Sequence, residues 1–196
     1  VLDPVDLSLG SGQDALLDLD FTFAGAVGLD VVFLIDTSGS FQDDIDTLQG
    51  SATTITGQLA SLADNVRFGV ASFADFPVGE FGASGDQAFV LDQPLTSDVE
   101  DVYTAIDLLD QPMNDGNDTP ESQLEALYQL ATGAGRDVDG DGVFDGPADI
   151  EPSKAGFRPG AVKIVVLATD APFHGYDAEP SYPGAGLQET LDALTE

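Results

Sequence analysis

The amino-acid sequence predicts an α/β fold, a doubly wound, mostly parallel sheet with helices on both faces. Strand-like and helix-like segments alternate along the chain, two of the strand-like runs are apolar at nearly every position, and each of those two is followed within two residues by an aspartate. Near-continuous apolar strands belong to a parallel sheet covered on both faces, because a strand with one wet face would alternate. With 196 residues and 42% hydrophobic content, one sizeable core and a single domain are expected.

Residues 1–28 stand apart. Asp6 to Leu9 and Leu17 to Phe23 alternate polar and apolar as half-buried strands do, so this stretch reads as a strand extension or the end of a preceding domain, with the main domain at 29–196. Leu29 to Ile35 is the first buried strand. Ile45, Leu48, Ile55, Leu59 and Leu62 then recur at the spacing of one helical face. Arg67 to Phe73 reads as the next strand and Ala88 to Leu91 as a shorter one. Val99 to Leu109 is a helix with Val99, Val102, Tyr103, Ile106 and Leu109 inward. After a loop at 110–120, Pro120 opens a helix carrying Leu124, Leu127, Tyr128 and Ala131, since proline's fixed φ and missing N–H suit a first turn. Val162 to Ala168 is the second strongly apolar strand, Ser181 to Gly186 a turn-rich loop, and Leu187 to Leu194 a last helix.

Charge narrows the function. Against 36 acidic residues the chain has 5 Lys and Arg, a net charge of -31 that repels nucleic acid and anionic membrane surfaces. No apolar run reaches the roughly 20 residues of a membrane span, and Val1 does not begin a recognisable leader, so the chain reads as soluble. Without Cys, disulfides and thiolate metal sites are excluded. Most surface Asp reads as a solvated coat, and a minority as cation ligands.

Asp36-Thr37-Ser38-Gly39-Ser40 directly follows the apolar run Val31 to Ile35, so one carboxylate and two hydroxyls reach the mouth of a buried strand together. A hard cation such as Mg2+ or Mn2+ takes oxygen ligands and keeps some water. One carboxylate with two neutral hydroxyls leaves that cation under-neutralised, open to an anionic oxygen from elsewhere. The same five residues also describe an ordinary Asp/Ser turn. What favours the cation is position, because ligands of open α/β sheets bind outside the carboxyl ends of strands, where Asp36 and Asp170 both fall.

Asp137, Asp139, Asp141 and Asp145 occupy positions 1, 3, 5 and 9 of an EF-hand-type calcium loop, with Gly142 at position 6 and the Val143 carbonyl at 7. Position 12 is Ala148, so Asp149 or Glu151 is expected to close the shell. Flanking helices are not evident, and the loop reads as a structural Ca2+ clip on an insertion at about 137–149. His174, the single histidine, reads as a loop residue, since the G-x-S-x-G elbow that a Ser38 hydrolase would need is absent.

Four separated motifs, Asp36 to Ser40, the pair Asp43 and Asp44, Asp118-Thr119-Pro120-Glu121, and Ala168-Thr169-Asp170-Ala171, make the chain from about Leu29 to Leu194 resemble the von Willebrand factor A domains, and among them the I-like domain of integrin beta subunits. The resemblance implies a metal-ion-dependent adhesion site held by Asp36, Ser38, Ser40, Asp170 and either Glu121 or Thr119. It implies an adjacent Ca2+ site at Asp43 and Asp44. A third site would use Asp75, Asp118, the Pro120 carbonyl and Glu121, although Gly116 stands where the family usually has asparagine. The implied function is an extracellular or cell-surface binding module without enzymatic activity, gripping an exposed Asp or Glu of a protein ligand through the cation. The other reading is a calcium-stabilised structural domain of a microbial surface or matrix protein. Family members continue past a helix like Leu187 to Leu194 into further strands and a last helix, so the chain reads as a fragment or its sheet as completed differently.

Overall fold

The computed structural model describes residues 28–61, 63–109, 116–174 and 181–195. The expected N-terminal extension, Leu62 and the side chain of Asp43 lie outside the described residues. The elements are β1 (Leu29–Asp36), α1 (Gln42–Ala60), β2 (Val66–Phe73), β3 (Val90–Thr96), α2 (Val99–Asp107), α3 (Gln123–Thr132), β4 (Val162–Ala168) and α4 (Leu187–Thr195), with a 3-10 turn at Gly39–Phe41. They form a four-stranded sheet in the order β3-β2-β1-β4, in which β1 runs parallel to both neighbours and β3 is antiparallel to β2. The expected α/β class is the observed one.

β1 explains the layering. Side chains alternate across a strand, so Leu29, Val31, Phe33 and Ile35 enter one core with Ile45 and Ala52 of α1 and Val102 and Ile106 of α2. Val32 and Leu34 enter the other, with Ala126 and Leu130 of α3 and with Tyr182. Helices therefore cover both faces. The same parity carries Asp30 and Asp36 to opposite ends of the strand, both fully buried. At the lower end Arg158 answers Asp30: its backbone N–H and its Nε each donate to the carboxylate at 2.7 Å. The guanidinium also donates to Asn65 Oδ1 at 2.6 Å and to the Leu29 carbonyl at 3.0 Å. One arginine thus closes the entry to β1 and β2.

Two elements differ from expectation. The strand expected at Ala88 to Leu91 is instead Val90–Thr96, an edge strand with an irregular register. Pro94 has no N–H to donate and is tolerated because one side of an edge strand is unpaired. The helix expected from Pro120 begins at Gln123, because the Glu121 N–H donates to Pro172 O at 2.9 Å and the Ser122 N–H to Ala74 O at 2.9 Å. Those two residues are anchored to neighbouring loops before helical bonding starts. α3 ends on Gly133 at φ 61°, a left-handed C-cap that a side chain would strain. Among the described residues no helix is long and apolar enough to cross a membrane.

Candidate functional site

Parallel pairing sets Ile35 opposite Ala168, so the loops after β1 and β4 leave the sheet side by side. The Asp36 carboxylate accepts the Ser38 N–H at 2.8 Å through Oδ1 and the Thr169 hydroxyl at 2.6 Å through Oδ2. Ser38 Oγ lies 3.1 Å from Ser40 Oγ, and Ser40 Oγ donates to Asp170 Oδ1 at 3.0 Å. Thr37 holds the loop down, its N–H and hydroxyl both donating to Phe73 O at 2.8 and 3.0 Å. Four of the six residues expected at the adhesion site are therefore joined in one hydrogen-bonded group. Burial pushes the Asp36 carboxyl above its ordinary value, against the opposing hydrogen bonds from Thr169 and Ser38.

Glu121 is the fifth. It is 3% exposed and its Oε2 has no hydrogen-bond partner. Its backbone is fixed from both sides, since the His174 N–H also donates to Glu121 O at 3.0 Å. Burial, reinforced by the charges of Asp36, Asp75, Asp86 and Asp118, pushes its carboxyl up to about 9. Thr119 lies exposed in the same loop. A buried carboxyl with an unpartnered oxygen, surrounded by other carboxylates, fits a bound cation, which replaces the proton. The donors here, carboxylates and hydroxyls, are the oxygen set a hard divalent ion prefers.

The raised value carries a pH consequence. Native Glu121 binds its proton more tightly than the unfolded chain does, so the metal-free fold gains stability at low pH and loses it as pH rises from 4.5 to about 9. Urea unfolding of the EDTA-treated chain is expected to show a midpoint that falls across this window. Glu121→Gln should flatten that fall, and an unchanged slope would refute the assignment.

Asp75 and Asp118, expected at a third site, are also brought together, with His174, which reads from the sequence as a loop residue and not as a ligand. Asp75 accepts the Phe76 N–H at 2.7 Å and the Tyr182 hydroxyl at 3.1 Å through Oδ1. His174 Nε2 lies 2.8 Å from Asp75 Oδ2 and 3.5 Å from Asp118 Oδ1. The histidine is a loop residue, as expected, yet it is 1% exposed, stacked on Tyr182 at 4.3 Å and edge-on to Phe81 at 5.1 Å. Asp75 precedes it by 99 residues, and no motif spacing links them. Burial first, then the adjacent Asp75, pushes the Tyr182 phenol far up, so it stays a hydrogen-bond donor. Pro120 is part-buried in the loop that carries Asp118 and Glu121.

At the expected adjacent site Asp44 is exposed and lines an open cleft with Phe41, Thr47, Leu167 and Asp170. In the calcium-type loop, Asp137, Asp139 and Asp149 each bring a carboxylate oxygen within 4.8 Å of the others. Asp141 and Asp145 are exposed outside this trio, and Asp141 Oδ1 instead accepts the Val143 N–H at 2.8 Å. Asp137 accepts the N–H groups of Gly142 and Gly140, both at 2.7 Å, and the Gly142 bond above all draws its carboxyl below the ordinary range. Gly142 sits at φ 86°, the turn that calls for glycine at position 6. Reciprocal Arg136 and Ile150 backbone bonds of 2.8 and 2.9 Å close the base of the loop.

Comparison with known proteins agrees with the fold. Residues 30–193 match the family model of the von Willebrand factor type A domain. Integrin beta-6 of Sus scrofa is 24% identical over 191 residues, covering 88% of this chain and 22% of the relative. Integrin beta-6 of Homo sapiens is 25% identical over 169 residues, covering 77% of this chain and 19% of the relative, and integrin beta-1-A of Xenopus laevis is 24% identical over 182 residues, covering 85% and 20%. The chain thus spans about a fifth of the length of these relatives. With the family model covering most of its length, the chain belongs to the von Willebrand factor type A domain family, with distant similarity to the corresponding region of integrin beta subunits.

Proposed function

We propose that this domain is an extracellular binding module that holds a divalent cation at Asp36, Ser38, Ser40, Glu121 and Asp170 and uses it to grip an exposed Asp or Glu of a protein partner. The observation that carries this reading is the hydrogen-bonded group Asp36, Ser38, Ser40 and Asp170 on one sheet edge. When bound, Mg2+ or Mn2+ supplies a positive centre able to accept a carboxylate, which a chain of net charge -31 otherwise repels. Asp36 anchors the serine loop through the Ser38 N–H and the loop after β4 through the Thr169 hydroxyl, while Asp170 closes the group from β4. Leu167 and Phe173, 40% and 53% exposed, offer apolar contact beside it.

Peptide display selected in Mn2+ tests the proposal. Selected peptides should contain an Asp or Glu whose replacement by Asn or Gln abolishes binding, and EDTA should release them. Binding that survives chelation, or that ignores the Asp→Asn change, would end this reading.

The loop at 137–149 carries a second, compatible role as a Ca2+ clip, favoured by its convergent Asp137, Asp139 and Asp149. Ca2+ at a hundred times its Kd should add about 2.7 kcal/mol, or about 5–10 °C in Tm for a domain of this size. Asp139→Asn should remove most of that rise, as read by calorimetry with and without Ca2+. If Ca2+ stabilises the variant and the parent alike, the loop is not the site.

A further inference from the structure

We infer that Gln123 is a positioning residue that clamps the loops carrying Asp36, Asp170 and Glu121 and so sets the cation preference of the site, favouring Mg2+ over the larger Ca2+. The inference rests on the proposed cation site at Asp36 and deepens it, giving a role to a side chain that touches no ion itself.

Gln123 opens α3 and is 3% exposed. Its Nε2 donates to Thr169 Oγ1 at 3.1 Å, to Ala171 O at 3.0 Å and, at greater length, to Pro172 O at 3.3 Å. Those residues flank Asp170 on both sides. Two of the three acceptors are carbonyls, which cannot donate, so the amide nitrogen has to face them. Oε1 is left buried without a hydrogen-bond partner, a cost that an apolar side chain of similar size would avoid. The position therefore uses the donors of the amide and not its bulk.

The clamp reaches Asp36 through one hydroxyl. Thr169 Oγ1 accepts from Gln123 Nε2 and from the Ala171 N–H at 3.1 Å, so its single proton is committed to Asp36 Oδ2 at 2.6 Å. Glu121 is reached through the backbone. Pro172 O, which accepts from Gln123, also accepts the Glu121 N–H at 2.9 Å, and Glu121 pairs with Phe173 in a parallel bridge. One side chain thus ties the loop after β4 to the start of α3 and, through Thr169, to the end of β1.

Spacing then selects the ion. Mg2+ takes oxygens at about 2.0–2.1 Å in a near-octahedral shell, whereas Ca2+ takes them at about 2.3–2.6 Å in a looser one. Adjacent oxygens of a right-angled shell stand about 2.9 Å apart around Mg2+ and about 3.3–3.7 Å apart around Ca2+. Ser38 Oγ and Ser40 Oγ are 3.1 Å apart, and Ser40 Oγ and Asp170 Oδ1 are 3.0 Å apart. Held at that spacing, the group suits the smaller ion. Released from the clamp, it can widen to admit Ca2+.

The test uses Mn2+ as a paramagnetic probe on the 15N-labelled chain, read at the amide of Gly39 between the two serines. Mn2+ should broaden that signal, and Mg2+ should restore it at a lower concentration than Ca2+ does. Gln123→Met keeps the length of the side chain and removes the donors. In it the ratio of the two restoring concentrations should move towards Ca2+ by at least about tenfold, in keeping with the effect of residues that hold metal ligands from behind. A general loss of stability would weaken both ions alike and leave the ratio where it was. Thr169→Val should move the ratio in the same direction, and the double variant no further than the larger single shift. An unchanged ratio in Gln123→Met, or additive shifts in the double variant, would overturn the inference and leave the cation site standing. If Gln123→Met does not fold, Thr169→Val decides alone, and an unchanged ratio there overturns the clamp. A parent Gly39 signal that ignores Mn2+ would instead remove the cation site, and this inference with it.

Discussion

Asp36→Ala is expected to lower cation-dependent binding of acidic peptides by at least about a hundredfold, equal to about 2.7 kcal/mol. Asp36 contributes in two ways that a neighbouring hydroxyl cannot replace. On the proposed reading it is the buried carboxylate for the ion, and it fixes both loops of the site through the Ser38 N–H and the Thr169 hydroxyl. Losing it removes a negative ligand and releases the serines from their positions. Ser40→Ala is the milder companion, since Ser40 is exposed and gives up only its bonds to Ser38 and Asp170. Its loss should weaken binding by a smaller factor, with the fold intact by circular dichroism. Peptide binding to Asp36→Ala within a few fold of the parent, in saturating Mn2+, would show that the cation sits elsewhere.

Arg158→Ala is expected to cost about 3–5 kcal/mol of folding stability, the usual effect of leaving a buried charge without its partner. Asp30 is fully buried, and Arg158 meets it through the backbone N–H, Nε and Nη2. The same guanidinium satisfies Asn65 and the Leu29 carbonyl at the start of β1. A loss of that size is a large share of the roughly 5–15 kcal/mol that holds a domain together. Urea unfolding of Arg158→Ala and of the double variant Asp30→Leu, Arg158→Met should differ sharply. The double variant removes both charges and is expected to lie near the parent, because an apolar pair of similar volume avoids the desolvation cost. A single variant that loses less than about 1 kcal/mol would mean that water already reaches Asp30.

Much of the candidate site was legible in the chain because it depends on local order. Asp36, Ser38 and Ser40 lie within five consecutive residues after an apolar strand, so the pleat and the following turn deliver them together. Asp170 follows from β4, whose limits were expected as observed, Val162 to Ala168. The edge strand β3 was harder to place, because Asp92, Gln93 and Pro94 interrupt its apolar pattern. The start of α3 was misplaced for another reason: residues 121 and 122 give their N–H groups to distant carbonyls, a choice no local propensity records.

The sequence by itself determined the α/β class, the buried strands β1 and β4, the acidic and hydroxyl residues that follow them, and the glycine turn of the 137–149 loop, because periodicity and turn chemistry act over a few residues. Only the tertiary structure decided that Glu121 is buried with an unpartnered oxygen, that His174 meets both Asp75 and Asp118, and that Arg158 neutralises Asp30. Those pairings join positions separated by as many as 128 residues, and they are set by which strands lie side by side rather than by which residues follow one another.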